Sequence, residues 1–273
     1  MDKFFYEWGN RDHPTLVFMH GVGATGLSFG DLAQYLMSDF HVVSFDLPGH
    51  GGAAALDEEK SYRSTQMAKW IKEKLDLLGL SEIYLGGHSW GAHLALYVAG
   101  LYPESITGLV LLDGGYFQQN PDGESEDQVL KNVEAFHESV RFPSQEAFLE
   151  SEKAESPRWS QEIEAAALDQ VTEIDGEIRL VVSPFTAKAI IKGIDLEPTA
   201  KIFAKVQSPA LLLRSTLPNE LEGERQKAIK QLIEGVPQAK VQSILNTSHD
   251  IYRDAPEKVT AKIKEWIQLR LNE

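Results

Sequence analysis

The chain has 273 residues, 42% of them hydrophobic, which suits one large α/β domain or one domain carrying an insertion. A formal charge of -15 argues against nucleic acid as a partner and favours neutral or cationic ligands over polyanions. The absence of cysteine excludes disulfides, thiolate metal sites and a cysteine nucleophile.

Phe4 to Trp8 reads as a short aromatic strand, followed by the turn cluster Gly9-Asn10-Arg11-Asp12. Leu16-Val17-Phe18-Met19 is a continuous apolar run, the pattern of a strand buried on both faces, and it ends in His20-Gly21-Val22-Gly23-Ala24. Phe29 to Met37 reads as a helix, and His41 to Phe45 as a strand that stops at Asp46-Leu47-Pro48-Gly49-His50-Gly51. Ser64 is placed to cap a helix running to Leu78, with Gly79 as its stop. A buried strand ending in Glu82-Ile83-Tyr84-Leu85 then meets a buried Ala/Leu-rich helix from Ala92 to Leu101, and Ile106 to Leu112 is a strand ending in Asp113-Gly114-Gly115. Strands alternating with helices predict a mostly parallel sheet covered on both faces.

The rhythm breaks from about Tyr116 to Ser208. No buried strand is evident there, while acidic helical stretches such as Gln128 to Val140 and Pro157 to Asp169 predominate; the β-branched segment Ile178 to Val182 has no place in a helical reading. The expectation is a helical cap over residues 117–208, hinged at Asn120-Pro121-Asp122-Gly123, inserted into a core of residues 1–116 and 209–273. Beyond it Pro209 to Arg214 is a strand, Glu220 to Glu234 a helix, Val241 to Leu245 a strand, and Pro256 to Leu271 a closing helix.

Gly87-His88-Ser89-Trp90-Gly91 lies at the turn between the buried strand and the Ala/Leu-rich helix. Three fixed positions of Gly-x-Ser-x-Gly recur by chance in roughly one chain in ten of this length, so placement carries the signal. A strand reversing sharply into a helix brings backbones close on both sides of the turn residue, which requires glycine there and leaves the serine strained and projecting.

With His20-Gly21-Val22-Gly23, Asp46-Leu47-Pro48-Gly49-His50-Gly51, the Ser89 turn and Ser248-His249-Asp250 in that order, each at a strand's carboxyl end, the chain resembles the α/β-hydrolase superfamily along almost its whole length. The resemblance implies a triad in the order nucleophile, acid, histidine, with Ser89 as nucleophile. Dehalogenases and epoxide hydrolases of this fold use Asp at that position, so Ser89 argues against both reactions. A serine hydroxyl needs a histidine to take its proton and return it to the leaving group, and of eight histidines His249 is the best placed. His20, His50 and His88 read as loop-shaping residues, and His13, His41, His93 and His137 as ordinary polar ones; none has metal-ligand spacing, so neither metal nor cofactor is expected.

The acid has two candidate places. The family's common position, after the strand that follows the cap, falls on Pro218, which cannot ionise; Glu220 and Glu222 nearby read as first-turn carboxylates of the next helix. Some family members carry the acid after the strand that follows the elbow helix, where Asp113 stands, and Asp113 is favoured here. The resemblance also implies an oxyanion hole from the backbone N–H groups of Val22 and Trp90, each donor worth about 3 kcal/mol in the transition state. His20, Gly21, Phe29, Phe117, Trp159 and Phe185 are candidates for the substrate pocket, with Phe136, Phe142 and Phe148 further aromatics of the cap.

The expectation is a cofactor-free serine hydrolase of small carboxylic esters working through an acyl-enzyme. A lactonase, thioesterase, amidase or carbon–carbon hydrolase would share the triad, and a slow-turnover ligand-sensing protein would share the fold. The N-terminal residues lack a basic stretch followed by a long apolar one and no apolar run approaches membrane-spanning length, so a cytoplasmic location without membrane contact is expected. Oligomeric state is left open.

Overall fold

The computed structural model describes residues 4–117 and 123–271. Its strands are β1 (Phe5–Trp8), β2 (Thr15–Met19), β3 (His41–Phe45), β4 (Ile83–His88), β5 (Ile106–Leu112), β6 (Val171–Ile174), β7 (Glu177–Leu180), β8 (Ala210–Arg214) and β9 (Ala239–Ser243). Its helices are α1 (Gly30–Leu36), α2 (Ser64–Leu77), α3 (Trp90–Leu101), α4 (Glu126–Ser139), α5 (Gln145–Glu155), α6 (Gln161–Asp169), α7 (Pro184–Leu196), α8 (Glu222–Gly235), α9 (Ile251–Asp254) and α10 (Pro256–Leu271).

Among the described residues one sheet has seven strands in the order β1-β3-β2-β4-β5-β8-β9, parallel throughout except for β1 against β3. The central strands are apolar at successive positions because both faces are covered. Val17, Leu85, Leu109, Leu111 and Leu212 join one cluster with α2, α3 and α8, while Leu16, Phe18, Val110, Leu112 and Leu211 join another with α1 and α10. Each such side chain contributes about 1.5–3 kcal/mol by leaving water. The amphipathic helix expected after Arg63 is present, but Ser64 is its first residue rather than its cap, and its hydroxyl pairs with His93 Nε2 at 2.7 Å.

Register is what assembles the site. Met19 lies opposite Gly87, His88 opposite Leu112, and Leu112 opposite Leu213, so the central strands end level. His20, Ser89, Asp113 and Ser215, each next in sequence after its strand, are therefore set side by side along one edge. Two further ladder bonds, Ser89 N–H to Leu112 O at 3.3 Å and Asp113 N–H to Leu213 O at 2.8 Å, hold that edge.

Between β5 and β8 the chain leaves the sheet. Ser125, Ser144, Ser160 and Ser183 cap α4, α5, α6 and α7, each accepting from the amide three residues on. The segment is not wholly helical: β6 and β7 form an antiparallel hairpin, which places Ile178, and Phe142 bridges to it. Asp175 and Gly176 make its turn with φ of 54° and 78°, the left-handed pair that a two-residue hairpin needs. Apart from Gly123, the expected hinge at Asn120-Pro121-Asp122-Gly123 lies outside the described residues.

The cap is fastened to the core in two ways. Phe148, Ala167, Val171 and Ile178 form a small cluster of their own, linked to α1 by Arg158, which donates to Asp31 Oδ2 at 2.5 Å, and by Ser160, which donates to Asp31 Oδ1 at 2.8 Å. On the other side α7 sends Ala189 and Ile190 into the main core, and its Gly193 lies so close to the Tyr62 backbone that a Cβ there would sit 2.6 Å from the Tyr62 carbonyl oxygen.

Candidate active site

Ser89 joins β4 to α3 at φ 53°, ψ -115°, a conformation that costs an L-residue on the order of 1–3 kcal/mol. The glycines around it allow the turn. A Cβ on Gly87 would lie 2.3 Å from the Gly91 backbone, and one on Gly91 would lie 1.9 Å from the Met19 carbonyl oxygen, so α3 is pressed directly onto β2. Gly114 abuts Ser89 itself: a Cβ there would lie 2.5–2.6 Å from the Ser89 backbone. The serine is thus held at the first turn of a helix, where free N–H groups favour developing negative charge.

Beside it, His249 Nδ1 lies 2.8 Å from Asp113 Oδ2. Asp113 is 6% exposed, at φ 44°, and its carboxylate also accepts from the Ser215 amide at 2.9 Å, the Ser215 hydroxyl at 2.8 Å and the Tyr116 hydroxyl at 3.2 Å. Burial favours the neutral acid, yet the hydrogen bond and charge of His249 with the two Ser215 donors outweigh it and hold the carboxyl below its usual range. His249 is moved the other way. Burial pushes it down, but the hydrogen bond and charge of Asp113, with Asp250, hold it above the ordinary histidine value. Glu220 is exposed in a turn before α8, and Glu222 is paired with Arg214 at 2.7 Å, so neither approaches the imidazole as Asp113 does.

His88 braces the histidine loop from below: its Nε2–H donates to the His249 carbonyl at 3.0 Å and its ring lies 4.5 Å from the His249 ring. Burial, then the neighbouring His249, push its pKa down to about 4, so it is neutral beside the His249 ring. On the other flank the loop after β2 comes against Ser89, since a Cβ on Gly21 would lie 3.1 Å from Ser89 Cβ. His20 accepts from Leu47 N–H through Nε2 and donates through Nδ1 to the Gly21 carbonyl; His50 accepts from Gly23 N–H and donates to the Pro48 carbonyl. Two neutral imidazoles therefore tie the loop of residues 20–24 to the loop of residues 46–51, and the Val22 and Trp90 amides are in no turn or loop hydrogen bond among the described residues.

A family model described as alpha/beta hydrolase fold matches residues 14–161. The chain belongs to the α/β-hydrolase family. This α/β hydrolase is similar to (E)-2-((N-methylformamido)methylene)succinate hydrolase of Acinetobacter baylyi, 25% identical over 97% of this chain and 93% of that protein. It is also similar to epoxide hydrolase 4 of Mus musculus, 33% identical but over 38% of this chain and 29% of that one. Among solved structures, E-2-(acetamidomethylene)succinate hydrolase superposes with a TM-score of 0.80 at 22% identity, covering 97% of this chain and 94% of the other. A thioesterase domain from the curacin biosynthetic pathway gives 0.76 at 22% identity, covering 96% and 98%. At such identities the structural likeness speaks for the fold alone.

Ser89, Asp113 and His249 open into a cavity of about 630 Å³. Its walls are Phe117, Val129, Ile191, Ile194, Phe203 and Ala228, with His93 and Tyr116 deeper and Glu124, Glu126, Asp195, Glu224, Lys192 and Lys227 among the charged residues. Of the expected pocket residues the hydrolase brings Phe117 to this cavity and not the others. Phe29 is fully buried on the opposite face of the sheet, stacked on Phe18 at 4.9 Å and against Tyr252 at 5.0 Å. Trp159 belongs to the cap's own cluster, donating to Glu164 at 3.0 Å under Lys153, and Phe185, at the second position of α7, is 45% exposed. His20 and Gly21 act behind the wall as loop supports. Sequence reasoning missed Ser215, Tyr116 and Arg225 around the acid and the α7 wall; Ser215 was findable, standing one residue past a strand that runs level with Asp113. Among the described residues no group of three or more His, Asp or Glu could hold a metal ion, and no helix is long and apolar enough to cross a membrane.

Proposed function

We propose that this hydrolase is a serine esterase that cleaves small carboxylic esters through an acyl-enzyme. The observation that carries the reading is the strained Ser89 at the head of α3 sharing a cavity with a His249–Asp113 pair 2.8 Å apart. In this reading Ser89 Oγ attacks the ester carbonyl, His249 Nε2 takes its proton and returns it to the leaving alcohol, and Asp113 keeps Nδ1 protonated without taking that proton itself. The Val22 and Trp90 amides receive the oxyanion, and a water activated by His249 then releases the acid.

The charge of the cavity favours a neutral ester over the succinates in the names of the full-length relatives. Its two lysines are already paired, Lys192 with Glu59 at 2.8 Å and Lys227 with Glu224 at 2.7 Å, and five lining carboxylates, Asp113 among them, outnumber them. A dianion would meet net repulsion there. The test is steady p-nitrophenol release from short acyl esters with the wild type and Ser89→Ala. The variant should fold with an unchanged Tm and lose turnover by on the order of a millionfold, down to the background rate; an active Ser89→Ala would remove the mechanism, and one slow turnover leaving modified His249 would favour a ligand-sensing protein.

A further inference from the structure

Asp113 has a two-fold, broad preference about its last side-chain torsion, so packing alone does not decide which way its carboxylate plane faces. Ser215 decides it. The residue is fully buried and spans the carboxylate with both of its donors, the amide to Oδ1 at 2.9 Å and the hydroxyl to Oδ2 at 2.8 Å, the same oxygen that faces His249. Behind it Arg225, 1% exposed, donates to Ser215 Oγ at 3.2 Å and to the carbonyls of Leu217 at 2.6 Å and Pro218 at 2.8 Å. A guanidinium has only donors. Ser215 Oγ must therefore accept from Arg225, which leaves its own proton to the carboxylate.

We propose that Ser215 and Arg225 are positioning residues for the reaction: Ser215 clamps the Asp113 carboxylate in the plane that meets the imidazole, and Arg225 fixes the direction of the Ser215 hydroxyl. The inference rests on the triad reading above. The other charged or titratable groups around the pair are His88 from β4, Tyr116 after β5, Arg214 with its partner Glu222, and Asp250 beside His249. None of them supplies two donors to the acid. Removing the Ser215 hydroxyl leaves more of the carboxylate's electron density to the His249 N–H and stabilises the imidazolium, so the histidine gains basicity while its aim is loosened.

The experiment is the pH profile of kcat and kcat/KM for a short acyl ester with wild type, Ser215→Ala, Ser215→Thr and Arg225→Lys, each with its Tm. Ser215→Ala should lower kcat about tenfold with KM within about twofold, and move the acid limb to higher pH by about half a unit, a fraction of one charge-assisted hydrogen bond because the loss reaches the imidazole only through Asp113. Ser215→Thr, which keeps the hydroxyl, should restore both, and Arg225→Lys, which keeps the charge but not the fork, should fall between. An acid limb unmoved in a folded Ser215→Ala, or a Ser215→Thr no better than the alanine, overturns the inference while Asp113→Asn still lowers kcat by about three to four orders of magnitude. Full activity in Asp113→Asn overturns the triad reading itself, and the inference with it.

Discussion

At the scale of single residues the decisive contrast is between two carboxylates. Asp113 sits in a buried nest of four donors, the imidazole among them, whereas Glu220 is exposed. Asp113→Asn cannot hold His249 in the tautomer that leaves Nε2 free, and should lower kcat by about three to four orders of magnitude. Glu220→Gln should change kcat by less than about twofold, as a surface charge does; the opposite ranking in steady-state ester hydrolysis would move the acid to the turn after β8. The same geometry sets the pH dependence. In the proposed mechanism His249 must be neutral to accept the serine proton, and Asp113 raises its pKa, so kcat/KM should fall with acid along a limb centred above 6.5. A limb centred well below that value would mean that the partner of Asp113 is not the group being titrated.

At the scale of elements, Arg158 and Asp31 join the cap to α1 through a pair in which Asp31 is 5% exposed. Arg158→Met leaves that carboxylate with Ser160 Oγ and little else, at a cost of about 2–3 kcal/mol, below the roughly 3–5 kcal/mol of a fully broken buried pair because one donor stays. Its Tm should drop while kcat on the smallest ester holds within about twofold, since the cavity wall is α7 and not α6. Loss of activity without loss of stability would place the α6 side in the chemistry. Legibility in the sequence follows the same division. Runs such as Leu16 to Met19 and Ile106 to Leu112 announce strands buried on both faces, and the motifs at their ends sit where register levels them, so the fold was legible and the candidate partners of Ser89 could be named. The cap offers no such frame: Asp175-Gly176 is a readable hairpin signal, yet its strands are four residues each and lie outside the sheet. Which aromatics reach the cavity depends on which face of each helix meets the core. Phe29, Trp159 and Phe185 were misplaced because composition does not fix that rotation.

At the scale of the whole molecule, a chain with 41 acidic and 26 basic residues buries a set of uncharged histidines among its loops. His20 is pushed well below the ordinary 6.5 by burial, then by His50; burial also takes His50, His88 and His93 to about 4. All four are neutral spacers whose ring nitrogens join loops or helices. Between 6.5 and about 4 the unfolded chain holds protons that the folded one refuses, so their contribution to stability is complete above 6.5 and is lost as pH falls through that window. Each contributes a slope of about 1.4 kcal/mol per pH unit there. His249 runs against them: its raised pKa adds stability below the unfolded value and loses it as pH rises through the folded one, one group against four. Urea midpoints should therefore fall steadily from pH 7 to pH 5. His93→Gln, which keeps a polar group facing the Ser64 hydroxyl, should reduce the slope by about 1.4 kcal/mol per unit. A midpoint flat over that range, or a slope untouched by His93→Gln, would mean that these rings accept protons within the fold and are not held neutral by burial.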